Sequence, residues 1–291
     1  MRVGTGERVF RAANIAFLLS VVVVCLYPVY YVFVASVSLP TRIAAHSGVL
    51  FAPLGFTLEA YRRVMQNPAI LVSYRNTLLY VGVGTSINLV MSCIGAYVLT
   101  LYHLRINRAL RKFIVFTMFF SGGLIPMFLQ VQRLGMINTM WALVVPSAIN
   151  TYNMLIMHTA FRSIPVSLSE SAKLDGATDL RILMRIILPL SLPILSTMVL
   201  YYGIDNWNSW FSAMVYLRAR AKYPVQLILR EILITSNTLS MTTDLATSDL
   251  MDVSHTIQYA TIIVVILPTL FVYPFLQRYF IAGMAAGAVK G

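Results

Sequence analysis

Glu170 opens a polar and charged interruption, ESAKLDGATDLRILMRIILPLSLP over 170–193, between two long hydrophobic segments. Its residue types suit docking rather than bond-making. Ser167, three residues before Glu170, reads as a capping box that starts a short helix just after Pro165. Gly176 supplies the positive backbone angle that stops this helix, and a second short helix starts near Asp179 and feeds the next hydrophobic segment. With small residues at Ser169, Ala172 and Ala177, the expected product is a compact knob that fits a groove on a partner. An ordinary amphipathic loop would explain the cap and the glycine, but not the spacing that continues to Pro189.

A second group sits inside an otherwise apolar stretch, where Asp205, Asn206, Trp207, Asn208, Ser209 and Trp210 follow one another. A carboxylate facing lipid costs on the order of 2.5–3.5 kcal/mol at a helix centre, so Asp205 is a functional-site candidate by default. Amide side chains beside aromatic faces suit hydroxyl-rich sugar rings. The competing reading places the segment near the outer interface, with Trp at headgroup level and Asp205 reaching water. Asn150, Tyr152 and Asn153 form a second candidate set. An Asp among such residues fits poorly with an acidic sugar unless it bonds protein donors.

Other chemistry is not spelled out. No nucleophile, base and orienting acid stand as a set, so no catalytic residue is expected. His46, His103, His158 and His255 lack metal-ligand spacing, so no metal site is expected. Cys25 and Cys93 fall in separate apolar segments and read as packed thiols rather than a disulfide. The chain has no G-x-x-x-x-G-K-[ST] run to cradle phosphates, so any ATP must be hydrolysed elsewhere.

The elements that position these residues follow from composition. Hydrophobic residues are 58% and charged residues 11% of the 291 positions, which marks an integral membrane protein. Six stretches, 12–41, 76–104, 113–132, 134–161, 186–217 and 253–277, hold only one of the 32 charged side chains, Asp205. A helix needs about 20 apolar residues to cross the hydrocarbon core, so six transmembrane helices are expected. The first stretch follows Arg2, Arg8 and Arg11, but it is too long for a cleaved signal and reads as a retained helix. Gly122, Gly123 and Pro126 should permit close packing and a kink, and Pro189 and Pro193 should bend the start of the fifth helix.

With the amino terminus inside, the segments 1–12, 103–112, 162–185 and 278–291 carry 13 of the 22 basic residues, at about twice the density of the outer segments. Arg105, Arg108, Arg111 and Lys112 are the clearest anchor. The net charge of +12 then belongs to topology and to anionic headgroups of the lipid bilayer, not to nucleic acid. Outside, segment 38–75 should hold a short amphipathic helix near Leu58 to Met65. Segment 218–255 begins basic, with Arg218, Arg220 and Lys222, and turns acidic at Asp244, Asp249 and Asp252. Each outer segment is either a partner site or a solvated connector.

The 170–193 run resembles the cytoplasmic coupling loop of bacterial ABC importer membrane subunits, E-A-A, three residues, G, nine residues, I-x-L-P. Glu170, Ala172, Gly176, Ile186, Leu188 and Pro189 match, and Ser171 replaces the first Ala. The likeness covers almost the whole chain. The ending RYFIAGMAAGAVKG resembles the carbohydrate-importer class typified by the smaller maltose-importer membrane subunit. SGGLIPMFLQ at 121–130, LGMINTMWALVVP at 134–146 and NWNSWFSAMVYLR at 206–218 resemble its subgroup for complex oligosaccharides, including pectin- and alginate-derived ones.

The resemblance implies an all-α type I importer permease. It has a basic cytoplasmic terminus, 1–11, and a six-helix domain, 12–291, containing the coupling loop 162–185 and a tail, 278–291. It implies a bacterial cytoplasmic (inner) membrane location with both termini cytoplasmic. The implied partners are a second, different permease subunit, a dimeric cytoplasmic ATPase and an extracytoplasmic solute-binding protein. ATP and Mg would sit on the ATPase, with no cofactor on this chain. Glu170, Ser171, Ala172, Asp175, Gly176, Ala177 and Asp179 would meet the ATPase, part of 218–255 the binding protein, and Gly283 to Gly291 the ATPase dimer. Three alternatives remain: the same architecture for a peptide or phosphonate, a lipid-head-group transferase around Asp175-Gly176, and a secondary transporter.

Overall fold

A computed structural model describes residues 5–101, 106–242, 255–272 and 274. Expectations placed on Arg2, His103, Arg105, Asp244, Asp249, Asp252 and the tail from Gly283 lie outside these residues. The described secondary structure is helical throughout apart from a single isolated bridge, Ser38 with Phe56.

The first hydrophobic stretch forms α1, Thr5–Ser36, unbroken although Pro28 lies inside it. Two short helices follow, α2 (Pro40–Ala44) and α3 (Glu59–Gln66), and the long α4 (Pro68–Thr100). α3 is the amphipathic helix expected near Leu58, with Ala60 and Val64 buried. Next come α5 (Asn107–Phe119) and α6 (Leu124–Arg133), then α7 (Trp141–Val144) and α8 (Thr151–Arg162). α9 spans Val166–Leu174 and α10 spans Asp179–Ile182. A π-helical turn, Leu183–Ile187, and α11 (Leu188–Leu190) continue α10. α12 (Leu192–Trp207), α13 (Trp210–Tyr216), α14 (Val225–Thr242) and α15 (His255–Val272) complete the described order.

The six apolar stretches do not all become straight spans. Among the described residues α1, α4 and α15 are single helices long and apolar enough to cross a bilayer. The third stretch is broken: α5 and α6 meet at 112°, where Gly123 has φ +84. The fifth is broken too, with Asp179–Leu190 and α12 meeting at 87° around Ser191, between Pro189 and Pro193. The bends expected at the prolines and glycines are present, sharper than a kink, but the close packing expected at Gly122 and Gly123 is not: both are exposed, and among the described residues only Pro126 lies within 4 Å of either Cβ position. The fourth stretch yields α8, whose 12 residues reach about 18 Å against a core of about 30 Å, so its apolar run does not make a full-length helix.

The described residues form two compact units, drawn from 1–68 with 229–267 and from 69–228 with 268–291. In the first, Val34, Ala35, Ile43 and Leu50 are buried together, with Tyr31 and Tyr259 packed against them. The Ser38 hydroxyl donates to the Val34 carbonyl and accepts from the Leu54 amide, at 2.7 and 3.1 Å. The connector after α1 is therefore folded back on that helix rather than loosely solvated. Cys25 is exposed in this chain, contrary to the packed thiol expected; Cys93 is buried as expected.

In the second unit one core joins Ala96, Tyr97, Met157, Phe161, Ile182, Met198 and Tyr202. Another joins Tyr80, Val131, Ala142, Leu143, Ala213, Tyr216 and Leu227. Asn138, with φ 60, clamps the turn after α13: its Oδ1 accepts from the Arg218 and Ala219 amides, and its carbonyl accepts from Lys222 Nζ at 2.7 Å. The basic start of the 218–255 connection is thus partly structural.

Candidate functional site

The knob begins two residues earlier than the sequence pattern suggested. α9 starts at Val166 with Pro165 as its N-cap residue and no side-chain cap, so Ser167 lies within the first turn and the Ser167–Glu170 capping box does not form. Pro165 sits extended at φ −56 and ψ 127, which places Ser167 past the position from which a hydroxyl could cap. The end of α9 is as expected. Gly176 has φ +76; its N–H donates to the Lys173 carbonyl and that of Ala177 to the Ala172 carbonyl. These paired bonds form a Schellman motif, which satisfies carbonyls the helix end would leave open. Asp175 is its C-cap residue, and Ser171 contributes the carbonyl that accepts from the Asp175 amide.

The Thr178 hydroxyl accepts from the Arg181 amide and caps α10, a signal the sequence reading passed over. Lys173 Nζ lies 3.1 Å from Asp179 Oδ1 across the bend. Ala172 and Ala177 pack against the core that contains Tyr97 and Phe161. The outer face is different: α9 has no buried residue, Leu174 is 90% exposed and Leu180 66%. Glu170 is exposed and lines a cleft of about 230 Å³ with Tyr97, Arg162, Ser169 and Lys173. Apolar tips on a rigid, small-residue base are suited to insertion into a partner's groove.

The polar candidates converge on a separate cavity of about 330 Å³. Of the nine residues singled out, Asn150, Asp205, Asn206, Asn208 and Ser209 line it. Tyr152, Asn153, Trp207 and Trp210 are not among its walls. Trp207 is buried, edge-on to Tyr74 at 6.2 Å between ring centroids, so it packs inside the chain rather than anchoring at a headgroup. Asn153 is buried and donates its amide to Asn150 Oδ1, which caps α8. Tyr152 is exposed on α8, and Trp210 stands edge-on to Phe211.

Asn88, Ser147 and Tyr202 were missed, yet they build the wall. Asn206 Nδ2 donates to Asn88 Oδ1 at 3.0 Å, and Asn88 Nδ2 donates to the Ser147 carbonyl at 2.5 Å. The Tyr202 hydroxyl lies 2.6 Å from that of Ser92. Gly84 makes the approach possible, because a Cβ there would lie 2.8 Å from Asn206 Oδ1. The available signal was Gly84, Asn88 and Ser92 at four-residue spacing on one face of an apolar helix. Such a chain of amides joins α4 to α12 where lipid offers no competing partners.

A polar cavity walled by helices, together with an exposed knob, is an arrangement for passage and docking, and comparison with known proteins agrees. Residues 88–286 match the family described as binding-protein-dependent transport system inner membrane component. The chain belongs to that family. This permease is 38% identical over 284 residues to Protein LplC of Bacillus subtilis (strain 168), covering 98% of this chain and 96% of the relative. It is also 38% identical over 285 residues to the polygalacturonan/rhamnogalacturonan transport system permease protein YtcP of the same organism, covering 98% and 99%. A crystal structure of a bacterial ABC transporter involved in the import of the acidic polysaccharide alginate contains a chain that superposes with TM-score 0.85 at 32% identity, over 96% of the permease and 99% of that chain. The fold is accordingly the all-helical type I importer permease fold, in a multi-pass membrane protein that is a non-catalytic transport component. The transferase and secondary-transporter alternatives fall with that assignment.

Proposed function

We propose that this permease forms one half of the translocation path of an ATP-driven importer for an oligosaccharide, including uronic-acid-containing ones, and pairs with a different permease chain. The observation that carries the reading is the convergence of Asn150, Asp205, Asn206 and Asn208 on one cavity, in a chain similar over nearly its whole length to a permease named for polygalacturonan and rhamnogalacturonan. Segment 170–179 docks into a dimeric cytoplasmic ATPase, which holds ATP and Mg. Both termini are cytoplasmic, and a solute-binding protein delivers cargo outside.

The driving force then lies in the partner. ATP closes the ATPase dimer and shifts the docked knob, and the continuous helix from Asp179 to Leu190 passes that shift to α12, whose last turn carries Asp205. A shift of this kind selects between two packings of the same helices, inward- and outward-facing.

The test is reconstitution of the permease with its membrane partner, ATPase and binding protein. ATP hydrolysis is measured with neutral oligosaccharides, acidic oligosaccharides, peptides and phosphonates. Stimulation by a saccharide class is the expected result; stimulation by peptide or phosphonate alone would discard the sugar assignment.

A further inference from the structure

Within the proposed sugar path, the described wall of the cavity carries charge of one sign. We infer that the cavity beside Asp205 takes a neutral glycosyl residue through that sugar's hydroxyl hydrogens and rejects a uronate ring, so Asp205 sets which part of a mixed chain occupies this half of the path. The inference rests on the reading of the cavity as a sugar path.

Among the described residues the only charged one in the cavity wall is Asp205, which is an acceptor alone when ionised; no described Lys, Arg or His lines it. Much of the neutral donor capacity is already engaged within the chain. The Ser147 hydroxyl donates to the Leu143 carbonyl at 2.8 Å, and the Ser209 hydroxyl donates to the Asn206 carbonyl at 2.8 Å. The amide nitrogens of Asn88 and Asn206 donate to the Ser147 carbonyl and to Asn88 Oδ1. The two serines, and Asn206 whose amide also donates to Thr85 Oγ1, still offer oxygen lone pairs, while Asn88 keeps a second amide hydrogen and Ser212 in the same wall a hydroxyl. Asn150 and Asn208 are the converse case, since their Oδ1 atoms accept from the Asn153 amide and from Gln226 Nε2, which leaves neutral amide hydrogens for a ligand oxygen.

A sugar hydroxyl both donates and accepts, so a neutral ring can meet Asp205 and the serine oxygens with its hydrogens and the two amides with its oxygens. A uronate carboxylate has no hydrogen to give. It would sit near a like charge in a partly desolvated site with no cation among the walls, and its binding there is weakened on the order of tenfold or more. A cavity of about 330 Å³ is at the small end of ligand sites and holds a short glycosyl segment, so the charge test applies to that segment and not to the whole polymer.

The experiment uses the complete reconstituted importer with one unchanged binding protein. Two probes of equal length are compared, an oligogalacturonide and its carboxyl-reduced, neutral counterpart. The wild-type complex is expected to import the neutral probe faster. Asp205→Asn, which keeps shape and removes charge, should shift the neutral-to-acidic uptake ratio toward acid about tenfold, and Asp205→Glu should keep the wild-type ratio. Ser212→Lys, which adds a cation to the same wall, should shift the ratio in the same direction as Asp205→Asn without touching Asp205. Uptake of both probes with a ratio that none of these variants changes would overturn the charge-reading role while leaving the sugar path in place. No uptake and no ATPase stimulation by either probe, with hydrolysis stimulated by a peptide or phosphonate, would overturn the path and this inference together.

Discussion

The Tyr97 hydroxyl, in the last turn of α4, donates to Asp179 Oδ1 at 3.4 Å, the same oxygen that Lys173 Nζ meets at 3.1 Å. One carboxylate oxygen thereby ties the last turn of a long membrane helix to both arms of the docking knob. Tyr97 is buried, whereas Lys173 and Asp179 are about half exposed, so the ion pair alone contributes little, about 0–1 kcal/mol. Asp179→Asn should leave insertion and ATPase co-purification intact and raise the ATP hydrolysed per sugar imported, on the order of twofold to fivefold. Tyr97→Phe should do the same to a smaller extent. An unchanged ratio in both variants would remove this junction from the coupling path.

Gly176 is needed for its backbone, not for space. No atom lies within 4 Å of where its Cβ would stand, but φ is +76. A β-branched side chain in that conformation is strained by roughly 1–2 kcal/mol. Gly176→Val should insert normally yet lose the ATPase during purification, whereas Gly176→Asn, better tolerated at positive φ, should retain much of it. Equal retention of ATPase by both variants would show that the turn does not govern docking.

Leu174 offers nearly all of its side chain to the surroundings. Burying an exposed Leu in a partner groove is worth about 1.5–3 kcal/mol, so Leu174→Glu should weaken ATPase association by about tenfold or more, measurable as a shift in the ATPase concentration needed for half-maximal sugar-stimulated hydrolysis. Leu174→Met should change it little.

Asn88→Ala strips the Asn206 amide and the Ser147 carbonyl of a shared partner. Unsatisfied buried polar groups cost about 1–3 kcal/mol, and the loss should appear as a lower melting temperature in detergent. Gly84→Val should act on the same link from the other side, by forcing Asn206 away. The double variant should therefore fall less than the sum of the two, because both remove one interaction.

What the sequence made legible was local or compositional. Gly176 and the start at Asp179 need only neighbouring residues, and α1, α4 and α15 announce themselves as long apolar runs. Pro165 shows the limit of local reading. A serine followed by a glutamate has the right spacing for a cap, but the proline already occupies the cap position. The broken spans were harder, because hydropathy counts residues and is blind to direction; only the proline and glycine pairs hinted at the bends. In the cavity, Asp205, Asn206 and Asn208 stood out as a polar run. Asn88 did not, since its partner Asn206 is 118 positions away and nothing in an isolated apolar helix marks which amide will be answered. Trp207 shows the reverse error: it shares the run but its ring turns to Tyr74.

The 87° elbow at Ser191 has a mechanical corollary. A thrust directed along the axis of the Asp179–Leu190 rod has almost no component along α12, so it cannot drive α12 up and down like a piston. It can only swing the foot of α12 sideways. Motion that enters the permease parallel to one rod leaves it as a tilt of the other, and a gate worked by tilting widens at one mouth while it narrows at the opposite one.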